Sequence, residues 1–141
     1  MKSAEQRLNE LAEFRFRMRK FLSFSESRSE IAGITAQQYQ LMQVIASGGS
    51  SEHSISSLAE RLLLRHNSAV ELVDRAEKAG LVVRVGDVQD QRKSLVRLTE
   101  AGQALLLRLV DEHMEYLESS GGEMLDALRP LVGQGDSALQ G

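Results

Sequence analysis

Two groups of side chains in this chain have the types and the spacing to bind a polyanion. The first lies in the segment GDVQDQRK at 86–93, where Arg92 and Lys93 follow Asp87 and Asp90. A carboxylate close to a guanidinium accepts charge-assisted hydrogen bonds from it, and so preorganises the arginine for insertion into a narrow, electronegative groove. The second group is Arg65, His66, Asn67, Ser68, Glu71 and Arg75. Polar donors at the start of a helix stand beside its free N–H groups and the positive pole of its dipole, where phosphates and base edges are bound. Glu71 has two readings, as an acceptor for a cytosine amino group or as a solvated charge opposite Arg75. Arg75 in turn either reaches phosphate or pairs with Glu71 or Asp74.

The elements that must position these residues can be read from periodicity. Leu81, Val82, Val83 and Val85 form one β-branched-rich run, and Leu95, Val96, Arg97 and Leu98 form a second. An antiparallel hairpin follows, with a polar tip to which Arg84, Arg92 and Lys93 bring positive charge. Taken alone, the hairpin is equally well an ordinary solvated turn. Upstream, Thr35 and Gln38 make a capping box for a helix over 36–47 whose Tyr39, Met42 and Ile45 share a face. Ser56 is read as the cap of a short helix reaching Leu63, with Leu58, Ala59 and Leu62 inward. The next helix runs from Asn67 to Ala79, turns Ala69, Leu72, Val73 and Ala76 inward, and is closed by Gly80. Short helix, tight turn, longer helix and hairpin is the order of a winged helix-turn-helix.

Long helices flank this module. Leu8, Leu11, Phe14, Met18, Phe21 and Leu22 recur at helical spacing over 4–28, and a second copy of the chain is the simplest cover for that stripe. Thr99 and Glu100 open another helix expected to reach Ser119, where Gly121 and Gly122 break it before a last helix over Glu123 to Val132. The expected class is mainly α with a small β-wing (α+β). It is a single domain over 1–141, with a winged helix-turn-helix lobe at 34–98 between dimerisation helices at 4–28 and 99–132.

Composition narrows the function. The chain has 141 residues, no cysteine and no tryptophan, which removes disulfides, thiolate metal sites and extended stacking platforms for single strands. No apolar run is long enough to span a membrane and no secretory leader is evident, so a cytoplasmic protein is expected. The three histidines, His53, His66 and His113, lack metal-site spacing, and no phosphate loop or nucleophile elbow occurs. No metal, cofactor or enzymatic activity is therefore expected. The net charge of −3 is unevenly spread: residues 61–97 hold eight Lys/Arg against five Asp/Glu, +3, leaving −6 on the rest. A basic centre between acidic arms suits a nucleic-acid-facing core.

The stretches LAERL at 58–62, LVDRAEKAGLV at 72–82, DVQDQRK at 87–93 and VRLTEAG at 96–102 together resemble the MarR family of bacterial transcriptional regulators. The resemblance covers about residues 34–110. It implies a homodimer with interleaved terminal helices, a pseudo-palindromic double-stranded DNA site, and an effector pocket between the dimerisation helices and the DNA-binding lobe. Residue by residue, it implies that Arg92 enters the minor groove and that Asp90 positions it. Arg65 and Glu71 depart from the common family pattern, which bears on the operator sequence rather than on the binding mode. A small aromatic or amphipathic effector would lodge among Phe16, Tyr39, Met42 and His113; the alternative is that these four are simply core. A winged-helix protein-interaction module without DNA binding is the competing function.

Overall fold

Thr35 begins the part of the chain that carries the core. Its hydroxyl accepts from the Gln38 amide at 3.1 Å and the Gln38 side chain accepts from the Thr35 amide at 2.9 Å, so two of the orphan donors of a helix start are satisfied reciprocally. In the computed structural model, which describes residues 1–50, 52–86 and 94–133, this cap separates α1 (Ala4–Ile31) from α2 (Ala36–Ala46). There follow β1 (His53–Ser54), α3 (Ile55–Leu62), α4 (His66–Lys78), β2 (Val82–Gly86), β3 (Ser94–Leu98), α5 (Glu100–Leu128) and a single 3₁₀ turn at Arg129–Leu131. Mainly helical with one small antiparallel sheet, this is the expected class.

The sheet has strand order β1-β3-β2. Val82 pairs with Leu98 and Arg84 with Val96 across the hairpin, while His53 and Ser54 pair with Val96 and Leu95. Two residues carry no period, so β1 leaves no signal in the sequence and the third strand was not expected.

Two compact units divide the chain: Arg28–Asp111, and Met1–Ser27 with Glu112–Gly141. The first holds the main core, in which Leu41, Met42 and Ile45 of α2, Leu58 of α3, Val73 and Ala76 of α4, and Val82 and Val96 of the sheet are almost fully buried. Each large aliphatic side chain so buried contributes roughly 1.5–3 kcal/mol relative to exposure. In the second unit α1 and α5 are tied by Arg17 to Glu123 at 2.7 Å, and the Lys2 ammonium donates to the Pro130 carbonyl.

The start of α3 and the end of α5 differ from expectation. Ser54, not Ser56, caps α3, its hydroxyl accepting from the Ser57 amide at 3.2 Å. The cap falls there because β1 ends on the same residue, so strand and helix meet without a linker. The expected break at Gly121 and Gly122 is absent, and α5 runs through both as one helix of 29 residues. An interior glycine costs about 1 kcal/mol relative to alanine, which disfavours a helix without forbidding it. Ties from Arg17 of α1 to Glu123 and from Lys2 to Pro130 hold the chain on the far side of the pair.

The glycines of α5 predict opposite outcomes on substitution. A Cβ at Gly102 would stand 2.1 Å from the Leu81 carbonyl oxygen, whereas one at Gly121 would meet only Leu117 side-chain carbons at 3.7–3.8 Å. Gly102→Ala will therefore lower the stability of the protein by about 2–3 kcal/mol, while Gly121→Ala will raise it by roughly 0.5–1 kcal/mol. Urea denaturation of both variants measures the difference.

Candidate nucleic-acid interface

The candidate site is built on a turn with no room to spare. At the end of α3, Leu63 adopts the left-handed conformation with φ 57°, and the Leu64 amide donates to the Ala59 carbonyl at 2.9 Å. Two residues later α4 begins. Ala69, Leu72, Val73 and Ala76 are all buried, as the spacing predicts, and seat one face of α4 in the core. Arg65, His66, Asn67, Ser68, Glu71 and Arg75 are all exposed. The structure thus brings six of the sequence-derived residues together on one helix and its lead-in.

The start of α4 is chemically open. Helix onset is at His66 rather than Asn67, which places Arg65 at the N-cap in extended conformation with no side-chain hydrogen bond. Arginine has donors only, so it cannot accept from the first-turn amides as serine or aspartate would. Those amides, the positive end of the helix dipole and the Arg65 charge converge on the same exposed corner.

At the other end of α4 the backbone turns through Gly80, φ 79°, into the hairpin. Thr99 secures the junction: its hydroxyl donates to the Gly80 carbonyl at 2.6 Å and accepts from the Gly102 amide at 3.0 Å, while its own amide donates to the Leu81 carbonyl. The helix-opening role of Thr99 was legible, but its grip on the hairpin root joins residues too distant in sequence for any local pattern to show.

Arg84 is placed differently from the sequence expectation. Rather than adding a free charge to the hairpin tip, its guanidinium donates to Asp74 and to Glu77 of α4, both at 2.7 Å. Burial alone would lower the Arg84 guanidinium, but hydrogen bonds and charge from Asp74 and then Glu77 prevail and hold it above the ordinary arginine value. Asp74 thus pairs with Arg84 instead of Arg75. The remaining hairpin candidates, Asp90, Arg92 and Lys93, lie outside the described residues.

The four effector candidates fall in both units. Tyr39 and Met42 are buried in the core of the Arg28–Asp111 unit, and burial pushes the Tyr39 phenol up. Phe16 is exposed, with the Arg17 and Lys20 cations 5.4 and 5.6 Å from its ring centroid. His113 is buried, Nε2 lying 2.8 Å from the Ser25 hydroxyl and the ring edge-on to Phe21 and Phe24. A separate cleft of about 340 Å³ opens between Ile45, Gly49, Ser50, Arg97, Leu98 and Gln103, and none of the four lines it. Among the described residues, no group of three His, Asp or Glu side chains could hold a metal ion.

A helix-turn-helix with its second helix seated by one face, followed by a β-hairpin, defines a winged-helix nucleic-acid-binding module. The MarR family profile matches residues 32–93. The chain is 32% identical over 107 residues to the HTH-type transcriptional regulator FarR of Neisseria gonorrhoeae, covering 73% of this chain and 72% of that one. It is 35% identical over 75 residues to the homoprotocatechuate degradative operon repressor of Escherichia coli, covering 53% and 49% respectively. Among solved structures, AbsC, a MarR family transcriptional regulator from Streptomyces coelicolor, superposes with a TM-score of 0.71 at 18% identity over 99% of this chain and 88% of its own. A MarR family protein from Bacillus stearothermophilus also gives 0.71, at 24% identity over 92% and 94%. The chain belongs to the MarR family of DNA-binding transcriptional regulators.

The α3 boundary can be checked directly. Ser54→Ala removes the side-chain acceptor at the N-cap and will destabilise the protein by about 1 kcal/mol; Ser56→Ala, in an exposed first turn, will change stability by less than about 0.5 kcal/mol. Thermal denaturation of the two variants distinguishes the caps.

Proposed function

We propose that the protein is a dimeric, sequence-specific repressor that binds a pseudo-palindromic duplex in the cytoplasm and is released by a small molecule. The observation that carries this reading is the exposed, uncapped start of α4 with Arg65, His66, Asn67 and Ser68 around it. A 13-residue helix is roughly 20 Å long and suits one pass through a major groove about 12 Å wide. Asn67 and Ser68 then meet base edges, and Arg65 and Arg75 meet phosphates. Arg92, positioned by Asp90 and accompanied by Lys93, enters the adjacent minor groove. The names of the relatives, regulators and an operon repressor, favour repression.

One such helix reads few base pairs, so two copies related by a two-fold axis would read half-sites about 34 Å apart. Support for a second copy comes from the Met1–Ser27 and Glu112–Gly141 unit, where Leu8, Leu11, Leu22, Met114 and Leu125 are all more than half exposed. Apolar surface of this extent in one unit marks an interface. The ligand class we propose for release is a small aromatic or amphipathic molecule.

Fluorescence anisotropy on palindromic and scrambled duplexes tests the DNA assignments. Arg92→Ala will weaken binding to every sequence. Asn67→Ala and Ser68→Ala will shift preference at particular positions by about 1–3 kcal/mol. Log affinity will fall with log salt by about 0.9 per phosphate contact; weak, unsaturable binding would instead favour the protein-interaction module. Sedimentation velocity tests the assembly: Leu11→Glu with Leu125→Glu will convert the dimer to monomer and abolish tight operator binding.

A further inference from the structure

We infer that Arg84 is a positioning residue that locks the middle of β2 to the C-terminal half of α4, and so fixes where the wing lies relative to the recognition helix, without itself touching DNA. The inference rests on the DNA-binding reading above for its functional meaning, but its geometry is independent of it.

The strand register shows why an arginine stands there. Val82 and Arg84 share one face of the hairpin with their partners Leu98 and Val96, and Val82 and Val96 are buried. That face therefore packs inward. At position 84 the apolar core ends, and the attachment of the sheet to α4 continues as an ion pair. Asp74 and Glu77 lie three residues apart on α4, within reach of the two terminal nitrogens of one planar guanidinium. The second Glu77 oxygen also accepts from the Arg84 backbone amide at 3.3 Å, so the strand itself is held and not only its side chain.

Two considerations separate this role from a phosphate contact. Turning Arg84 toward a phosphate would break both 2.7 Å pairs and leave two uncompensated carboxylates on the recognition helix beside a polyanion. Lever length is the other. A five-residue strand is roughly 17 Å long, so a tilt of about 10° at its root moves its far end by about 3 Å. That displacement exceeds the range over which a hydrogen bond from the wing to a groove survives. A lysine at the same position would keep the charge but could not bridge both acids in a fork.

The deciding comparison is between Arg84→Gln, Arg84→Lys and the double variant Asp74→Asn with Glu77→Gln, all in the full-length protein. Anisotropy on operator and scrambled duplexes across a salt series is the readout. For a positioning role, each of the three lowers the ratio of operator to scrambled affinity by about tenfold, and combining Arg84→Gln with the double variant costs no more than either alone. The double variant loses operator affinity even though it makes the lobe more positive, and the salt slope of Arg84→Gln stays at the wild-type value. Tighter operator binding by the double variant, with the slope of Arg84→Gln reduced by about one, would identify Arg84 as a phosphate contact and overturn the inference. Amide hydrogen exchange in the DNA-free protein supplies a readout that does not depend on the DNA-binding reading. Faster exchange over residues 82–86 in Arg84→Gln, with α2 unchanged, supports the clamp; unchanged exchange there sinks it even if no duplex is ever bound.

Discussion

A helix is held firmly only where one of its faces is gripped by the core, and the whole Arg28–Asp111 unit is arranged around that constraint on α4, whose other face stays bare. Ala69, Leu72, Val73 and Ala76 are the gripped face, two alanines that let neighbouring elements approach closely and two larger aliphatic side chains that fill the core. Packing of this kind is rigid, because interiors near crystal density deform only at appreciable cost. The bare face gains nothing from the fold. Its polar side chains are therefore not constrained by the packing of the core.

Much of this was legible because it is local. The inward spacing of α4, the reciprocal capping of Thr35 and Gln38, and the closing role of Gly80 each occupy a few consecutive residues, and each has one physical solution. What was not legible depends on partners distant in sequence. Arg84 read as a tip charge because nothing near it in sequence opposes it; its acids lie seven and ten residues upstream, on another element. The same holds for Thr99 and the carbonyls of Gly80 and Leu81. For α3, Ser56 was read as the cap, whereas Ser54 takes that place at the end of a two-residue strand without a period of its own. At Gly121 and Gly122 a propensity of about 1 kcal/mol per residue was read as a break, yet propensity is a weak prior against ties made elsewhere.

Charge follows the same division. The chain is acidic overall, and its basic excess lies within residues 61–97. Two of the acids in that stretch, Asp74 and Glu77, share the single charge of Arg84 in a triad of net −1, which leaves seven Lys/Arg and three Asp/Glu of the stretch outside it. Net charge alone is thus a poor guide to whether such a protein binds a polyanion; what matters is which charges are already spoken for within the fold.

The uncapped start of α4 carries one more implication. A helix without a side-chain N-cap leaves its first-turn amides without an intrahelical acceptor, and whatever accepts from those amides completes it. Where the acceptor is a phosphate oxygen of the duplex, DNA supplies the cap that Arg65 cannot, and ligand and secondary structure become a single thermodynamic object: the bonds that hold the operator are also the last bonds of the helix. Installing an acidic residue at position 65 would finish the helix in the free protein and, by the same act, occupy the amides that the proposed operator contact uses. If the operator is bound there, as proposed, binding and stability make opposite demands on this one position.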